Sequence, residues 1–594
     1  MIVSLINWIY IFAISVILGG FLLPRFVRLI DKDSKPVFNF CDYVVAGLVT
    51  CTVYAQLYSL FGGVSVLANV ILAVTCVVLL IIDRKNLSAL YQNHVKSIKG
   101  EKLPGEKVRL VILTAVAVIL FAVNLMYTAE GTFHYDTGLY HAQAIHWLED
   151  YGIVKGLGHM HVRLAYNSAY FPLCALFSMR EVFGQSLHSV SGFVSALMCC
   201  YSVYGWNKSL KDKTFLKQSA ISDMIRLAPL FYFLVCMLEI TSPESDYITV
   251  YLIIFIILRL VEVFEKESED KKSHLAGYCL LAVCSFALVG YKLSAAVIAV
   301  VTVWPLIVMI KKKKWAGIAV CAILCILVVV PYLIRNVIIC GWLVYPVDAI
   351  DLFNVSWKFD KSTLSGDAAE IGQWAKSLDK VEGGFSTTFG WIGFWWQEQY
   401  LATKLFVASM LMSLPVMIVT FFDRKKWFVK YLMVILASSV VFYMIKAPLI
   451  RYCYGPVLII PLMTAGYLLA KAAGAKDKSV DNKSSWFESR LGLLLAGVLT
   501  IVIIAPSLYS TTQIMKFNYQ ESAGRFNFGN YIVKQVDYPE PEVFGFDWYG
   551  QKVYLPLEGD QCWYFAFPSS PYFETFENVR PVTGDFKDGF EKIK

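Results

Sequence analysis

The stretch "VILTAVAVILFAVNLMYTAEGTFHYDTGLYHAQAIHWLEDYG" (Val111–Gly152) sets an apolar run directly before a loop rich in acids and histidines with an Asp-Thr-Gly in its middle. A hydrocarbon layer of ~30 Å is crossed by about 20 residues of helix, and 110–129 is a run of that length. The rest of the chain reads the same way. With 594 residues, 57% hydrophobic, 16% charged and a mean hydropathy of +0.57, it is too apolar for a soluble globule. Comparable runs fall near 4–24, 43–62, 64–83, 110–129, 187–205, 227–241, 247–262, 275–290, 293–310, 315–334, 405–422, 431–446, 454–471 and 491–510. The expected fold is therefore an all-α polytopic membrane protein of about fourteen helices.

The first run is followed by "RFVRLIDKDSK" and not by a small-residue cleavage site, so it reads as a retained helix. The basic residues come in short blocks between apolar runs, among them "NKSLKDKTFLK", "KKKK" and "DRKK". Such blocks mark the cytoplasmic side and do not point to nucleic acid. Threading the runs through them puts the N-terminus outside and 25–42, 84–109, 206–226, 263–274, 311–314, 423–430 and 471–490 inside. Parity then requires "SAYFPLCALFSM" to be re-entrant or juxtamembrane, with Pro172 in support. Three parts follow: 1–109, N-terminal helices and a basic linker; 110–510, a core with outer loops 130–186 and 335–404; and 511–594, an extracytoplasmic domain of α+β or β build.

This threading sends Asp136, His141, Arg163, Asp246, Lys292, Arg335 and Arg451 to one face. Charge at a membrane boundary is costly and marks function, and a set richer in Lys and Arg than in acids suits an anionic ligand beside a general base. Each residue also has a plainer reading. Asp136 could start an interfacial amphipathic helix with Leu139, Ala142, Ile145 and Leu148 on its apolar stripe. His134, His146, His159 and His161 read as interfacial histidines, and Lys292 or Arg451 alone could snorkel to headgroups. Arg335 could pair with a helix dipole, and the aromatics of "GWIGFWWQEQY" read as an interfacial belt before a sugar-stacking surface. Most of the fourteen cysteines lie in apolar runs, where a thiol packs as a small apolar side chain, so neither a disulfide framework nor a cysteine metal cluster is expected. No nucleotide-binding loop, HExxH or GxSxG occurs, which disfavours an ATP-driven transporter.

An acid in the first large outer loop, "VFG" (Val182 to Gly184) before the next run, "PYLIRNVIICGWLVYP" and "RYCYGPVLIIPL" together resemble the GT-C superfamily of integral membrane glycosyltransferases. With "SPESDY", "YKLSA", "APLIRYCYG" and "CWYFAFPSSPY", the chain is similar from about residue 110 onward to an uncharacterised family of large bacterial multi-pass membrane proteins. The resemblance implies transfer of a sugar from a polyprenyl-phosphate-linked donor to a glycan, lipid or protein acceptor at the extracytoplasmic face of a bacterial plasma membrane, with inversion. It implies Asp136 as general base, Lys292, Arg335, Arg451 and Arg163 on the lipid phosphate, and His141, Asn167, Asn336 and Tyr345 in acceptor or supporting roles. A divalent cation (Mg²⁺ or Mn²⁺), with Asp246 as a ligand, is left open. Where the late outer loop of the superfamily carries an acid after its proline, this chain has Leu449. Two alternatives stay open: a polymerase or ligase of lipid-linked repeat units, and a flippase or transporter without covalent chemistry.

Overall fold

The computed structural model describes the chain apart from residues 33–37, 100–105, 133, 378–388, 424–426, 477–492, 503, 506, 510, 514–515, 517–531 and 594, and apart from the side chains of 91, 93–99, 106 and 474–476. Among the described residues ten helices are long and apolar enough to cross a membrane: Ile2–Ile30, Phe40–Tyr58, Lys107–Thr128, Ser245–Asp270, Leu293–Lys311, Trp315–Cys340, Leu401–Phe422, Trp427–Lys446, Tyr454–Ala473 and Leu493–Gln513. Val66–Ile82 and Arg84–Leu90, bent by 87° at their junction, make an eleventh if taken as one span. The protein is a helical, multi-pass membrane protein with a small C-terminal strand region.

Three of the fourteen segments expected from the sequence are built differently. The 187–205 run belongs to Val190–Lys211, whose Ser191, Ser195, Ser202 and Asn207 are buried against neighbours, so its polarity is spent inside the bundle. The 227–241 run breaks into Ala228–Val235 and a 3-10 turn, Met237–Thr241. The third, Leu275–Tyr291, is apolar but only 17 residues long. Of the three only 227–241 is broken, after Val235, and its apolar run gives no sign of the break. "SAYFPLCALFSM" holds the short helix Tyr170–Leu176, all seven residues of which are buried.

Small residues set the first helix crossing. A Cβ on Gly19 would lie 1.9 Å from the Tyr43 carbonyl oxygen, and one on Gly47 would lie 2.0 Å from that of Ser15. Backbones this close need glycine on both sides, which is how apolar helices gain contact in a solvent as apolar as themselves. At the centre stands Ser245–Asp270, 89% of whose apolar window is buried, against 17% for Lys107–Thr128. Its ends therefore mark the two ends of the bundle.

At one end the N-terminal ammonium of Met1 donates to the Lys534 carbonyl (2.8 Å), and the backbone amides of Val536 and Ile153 donate to the carbonyls of Ala129 (2.9 Å) and Ser59 (2.8 Å). Asp246 lies in the same layer. The basic segments gather at the other end, through Arg25–Asp83 (2.9 Å), Arg259–Asp42 (2.8 Å), Lys312–Ser273 (3.2 Å) and Lys314–Asp31. Arg259 and Arg226 share Glu262 there, at 2.6 Å each.

The C-terminal region pairs β1 (Val543–Trp548) with β2 (Gln551–Pro556), antiparallel from Val543↔Pro556 to Trp548↔Gln551. The two-residue turn between them, Tyr549-Gly550, has φ of 51° and 80°, the doubly left-handed turn that suits strand twist. A second pair joins β3 (Val579–Pro581) to β4 (Phe590–Lys592). Trp548, Phe576, Phe586 and Phe590 pack between the two pairs.

Candidate functional site

The loop that follows Lys107–Thr128 enters a five-residue π-helical turn, Thr137–His141, and continues as the helix Ala142–Asp150. Leu139, Ala142, Ile145 and Leu148 are buried, so the amphipathic stripe is real. Asp136 stands at the N-cap of the turn, yet its side chain makes no capping hydrogen bond. Its carboxylate instead lies 3.2 Å from Arg451 Nη2, and three-quarters of the side chain is shielded from solvent. The plain reading of Asp136 as a helix starter is thereby displaced by an ion pair across the site.

Arg451 comes from a 3-10 turn, Ile450–Tyr452, between two late helices. Its Nε is 3.5 Å from Asp246 Oδ2, so one guanidinium faces Asp136 and Asp246 together. Asp246 occupies the first turn of the central helix, where the helix dipole favours an acid. Its other oxygen takes Lys292 Nζ at 2.6 Å. Lys292 is the residue at which Leu275–Tyr291 stops and the chain continues as 3-10 helix, and its ammonium lies 4.2 Å above the Tyr452 ring. Arg451 is 39% exposed and Lys292 25%, so both cations remain within reach of a ligand from the loop end.

A second layer sits against this one. His134 Nε2 is 2.9 Å from Glu244 and 3.8 Å from Glu239, with Arg451 Nη1 at 3.5 Å. Burial disfavours charge on His134, but Glu244, and then Glu239 and Asp136, outweigh it and raise its pKa to about 9. Burial, reinforced by the Glu244 carboxylate, pushes Glu239 up. The Thr137 hydroxyl meets Ser242 Oγ at 2.8 Å, and the Ser191 hydroxyl donates to the Ser242 carbonyl at 3.0 Å, tying the Asp-Thr-Gly to the "TSPESDY" turn. His141 is buried, 3.4 Å from Thr137 Oγ1 and stacked at 5.8 Å on His134, and burial holds its pKa well below the usual histidine value.

Of the residues singled out in the sequence, Asp136, Asp246, Lys292 and Arg451 form one connected cluster, and His141 borders it. The others lie in a neighbouring one. Arg163 pairs with Asp367 (2.8 Å) and Glu370 (3.3 Å), and its guanidinium lies 4.9 Å over Trp374. Asn167 donates to Asn336 Oδ1 (2.9 Å), and Asn336 donates to the Leu343 carbonyl (3.0 Å). The Tyr345 ring is 5.4 Å from that of Tyr166, which in turn lies 6.3 Å from Tyr140, the link between the two clusters. Arg335 is 1% exposed, its Nε and Nη1 lack hydrogen-bond partners among the described residues, and it faces a void of about 20 Å³ walled by Leu148, Leu157 and Phe171. Arg163 and Arg335 are therefore not part of the constellation around Asp136. Asp246 already holds two cationic side chains, which leaves it poorly placed as a metal ligand.

The C-terminal region roofs the turn that carries Asp136. Tyr135 donates to both Asp560 oxygens (2.6 and 2.7 Å), and the amides of Cys562 and Trp563 both donate to the Gly138 carbonyl at 2.9 Å. A Cβ on Gly138 would stand 2.7 Å from the Trp563 ring, so glycine is required by the approach. Glu149, buried, takes hydrogen bonds from Ser186 (2.7 Å) and Tyr564, and His146 is sandwiched between Tyr564 and Phe567 at 4.2 and 3.8 Å. A separate cavity of about 530 Å³ opens at the basic end, lined by Tyr201, Arg226, Glu262, Glu265 and His274, far along the central helix from Asp136.

A profile described as a domain of unknown function (DUF8201) matches residues 1–458. The chain belongs to the DUF8201 family. No curated protein and no solved structure matches it. The DUF8201 match takes in every residue of the Asp136 cluster and of the His134 layer, while the four strands lie beyond it. The sequence alone reads His134 as an interfacial histidine and does not single out Glu239 or Glu244. The signal was present in "LEITSPESDY", three acids within eight residues, but only folding shows which of them turn toward the loop that holds Asp136.

Proposed function

We propose that this DUF8201 protein is a membrane glycosyltransferase of GT-C type that moves a sugar from a polyprenyl-phosphate donor to an acceptor at the loop end of the bundle. The observation that supports this most is the single Arg451 guanidinium spanning Asp136 and Asp246, with Lys292 on the far oxygen of Asp246. A partly shielded carboxylate, free of any capping role, then stands beside two accessible cations at what a lipid-linked substrate would meet as the membrane boundary.

In this reading an acceptor hydroxyl attacks the anomeric carbon. A carbon–oxygen bond forms to the acceptor as the bond from the sugar to the phosphate oxygen breaks, and the hydroxyl proton passes to Asp136, which acts as general base. The departing lipid phosphate gains negative charge in that step, and Lys292 and Arg451 stabilise it more than they stabilise the donor. Attack opposite the leaving group inverts the centre. The gathering of basic segments at the other end of the bundle supports placing this end outside the cytoplasm.

The test is Asp136→Asn. It keeps size and polarity and removes the base, so transfer, read as sugar-bearing product by mass spectrometry, is expected to fall by about 100-fold or more while the purified protein remains monodisperse. Full transfer by this variant would refute the role of Asp136. Product length separates single transfer from polymerisation: one added sugar is expected, and a ladder of repeat units would favour the polymerase.

A further inference from the structure

The balance of charge around Asp136 is not what an anion site alone requires. Asp136, Glu239, Glu244 and Asp246 bring four carboxylates together against two fixed cations, Lys292 and Arg451, with the imidazole of His134 as the third group that can carry positive charge. Both cations are engaged by Asp136 and Asp246. Among the described residues Glu239 and Glu244 have only His134 as an ion-pair partner. A pair of neighbouring acids, one of them 5% exposed, is expensive to keep in a partly dry site, and His134 is the one positive partner they share among the described residues.

Geometry supplies a place for a further positive charge. One ligand atom from each of His134, Glu239 and Glu244 lies within 4.8 Å of the other two. Donors bound to one ion at about 2.0–2.2 Å stand roughly 3–4 Å apart, and His134 Nε2 is 2.9 Å from Glu244 and 3.8 Å from Glu239. His134 is 10% exposed and Glu244 5%, whereas Glu239 is 39% exposed, so the trio has two fixed walls and one open side through which an ion can enter. His134 Nδ1 is buried with no hydrogen-bond partner among the described residues. The Arg451 Nη1 contact to His134, at 3.5 Å, is the interaction an ion would replace. Arg451 would keep Asp136 and Asp246, whose contacts use other atoms.

We propose that His134, Glu239 and Glu244 form a binding site for one first-row divalent cation, Mn²⁺ or Zn²⁺, at the edge of the Asp136 cluster. One imidazole with two carboxylates suits these ions better than Mg²⁺ or Ca²⁺, which take all-oxygen shells. With His134 neutral as a ligand, the cation's two positive charges together with Lys292 and Arg451 balance the four carboxylates. Its use rests on the transferase reading: beside Arg451, it would present a further positive charge to phosphate oxygens of the donor. Its existence does not, because the residues and their charges are there without a donor.

The experiment is direct cation binding, with no sugar donor present. Full-length protein in lipid nanodiscs is stripped with a chelator, and Mn²⁺ is titrated by electron paramagnetic resonance. Wild type is expected to take up one Mn²⁺ per chain, with Glu239→Gln and Glu244→Gln each binding at least about tenfold more weakly and Asp585→Asn, exposed and remote, binding as wild type. A cooperative melting transition of both variants without Mn²⁺, at the wild-type temperature, shows that they are folded, and a Mn²⁺-dependent rise in melting temperature is expected in wild type and not in the variants. No uptake by wild type at millimolar Mn²⁺, or wild-type binding by both glutamine variants, would overturn the site. Mn²⁺ uptake by a protein that binds no sugar lipid would keep the site and sink the transferase; sugar-lipid binding without Mn²⁺ uptake would do the reverse.

Discussion

Asp136 and Asp246 face one guanidinium, so both carboxylates depend on Arg451. Arg451→Lys retains the charge but replaces a planar fork by a point charge that cannot face both acids. Transfer is expected to fall by about tenfold or more while the amount of folded protein is unchanged, measured as product per purified chain. A pH effect belongs to two other residues, His159 and His161. Burial, and for His161 also Arg163, lowers their pKa values to about 4 and about 3, against about 6.5 in an unfolded chain. The folded state thus favours the neutral rings. Their contribution is complete above pH 6.5 and is lost as the pH falls toward 4 and 3. For His161, 6% exposed, the loss by pH 5 is about 2 kcal/mol. Between pH 7.5 and pH 5 wild type should lose more melting temperature, or gain less, than His161→Gln, because His134 is unchanged in both and only the His161 contribution is removed; equal slopes would refute this. At this scale Asp136, Asp246, Lys292 and Arg451 could be named from the sequence because charges flanking long apolar runs are few. The His134 layer could not, because an interfacial histidine and one aimed at two glutamates look the same until the turn Met237–Thr241 is folded against the loop.

Helices are where buried charge is tolerated or not. Arg163 and Asp367 are a buried pair, 8% and 2% exposed, so Arg163→Met strands a carboxylate and is expected to cost about 3–5 kcal/mol. Among the described residues Arg335, on Trp315–Cys340, has no carboxylate facing it and only a small apolar void. Arg335→Met should leave the melting temperature unchanged or raise it, since it removes a buried charge that has no acidic partner. A large loss of stability would mean that Arg335 holds a partner of its own. Element length and apolarity were readable for the ten qualifying helices, because crossing a bilayer leaves a run of fixed length in the sequence. The break at Cys236 and the polar face of Val190–Lys211 were not, since a buried serine facing a neighbouring helix and one facing water contribute the same to hydropathy.

For the whole molecule, the consequential contact is between parts far apart in sequence: the C-terminal strands and the turn that carries Asp136. Gly138→Leu drives a side chain into the Trp563 ring and should release the roof, raising hydrogen exchange in 543–592 and 137–150 together. Exchange rising in only one of the two would show that they are not coupled. The first two strands were readable from "EVFGFDWY" and "KVYLPL", aromatic and β-branched runs between turn residues, while the three-residue strands β3 and β4 are too short to leave such a run and the similar "CWYFAF" forms no strand; the docking site was not readable either, because the residue that permits it is a glycine more than 400 positions earlier. The bundle holds the two ends apart and collects Asp136, Asp246, Lys292 and Arg451 at one of them. The most direct test of that cluster as a sugar-lipid site is native mass spectrometry of the purified protein with a panel of polyprenyl-phosphate sugars, comparing wild type with Lys292→Ala and Arg335→Met. Donor retained by wild type and by Arg335→Met, and lost by at least about tenfold in Lys292→Ala, is the predicted result. No donor retained by wild type, or equal retention by Lys292→Ala, would contradict it.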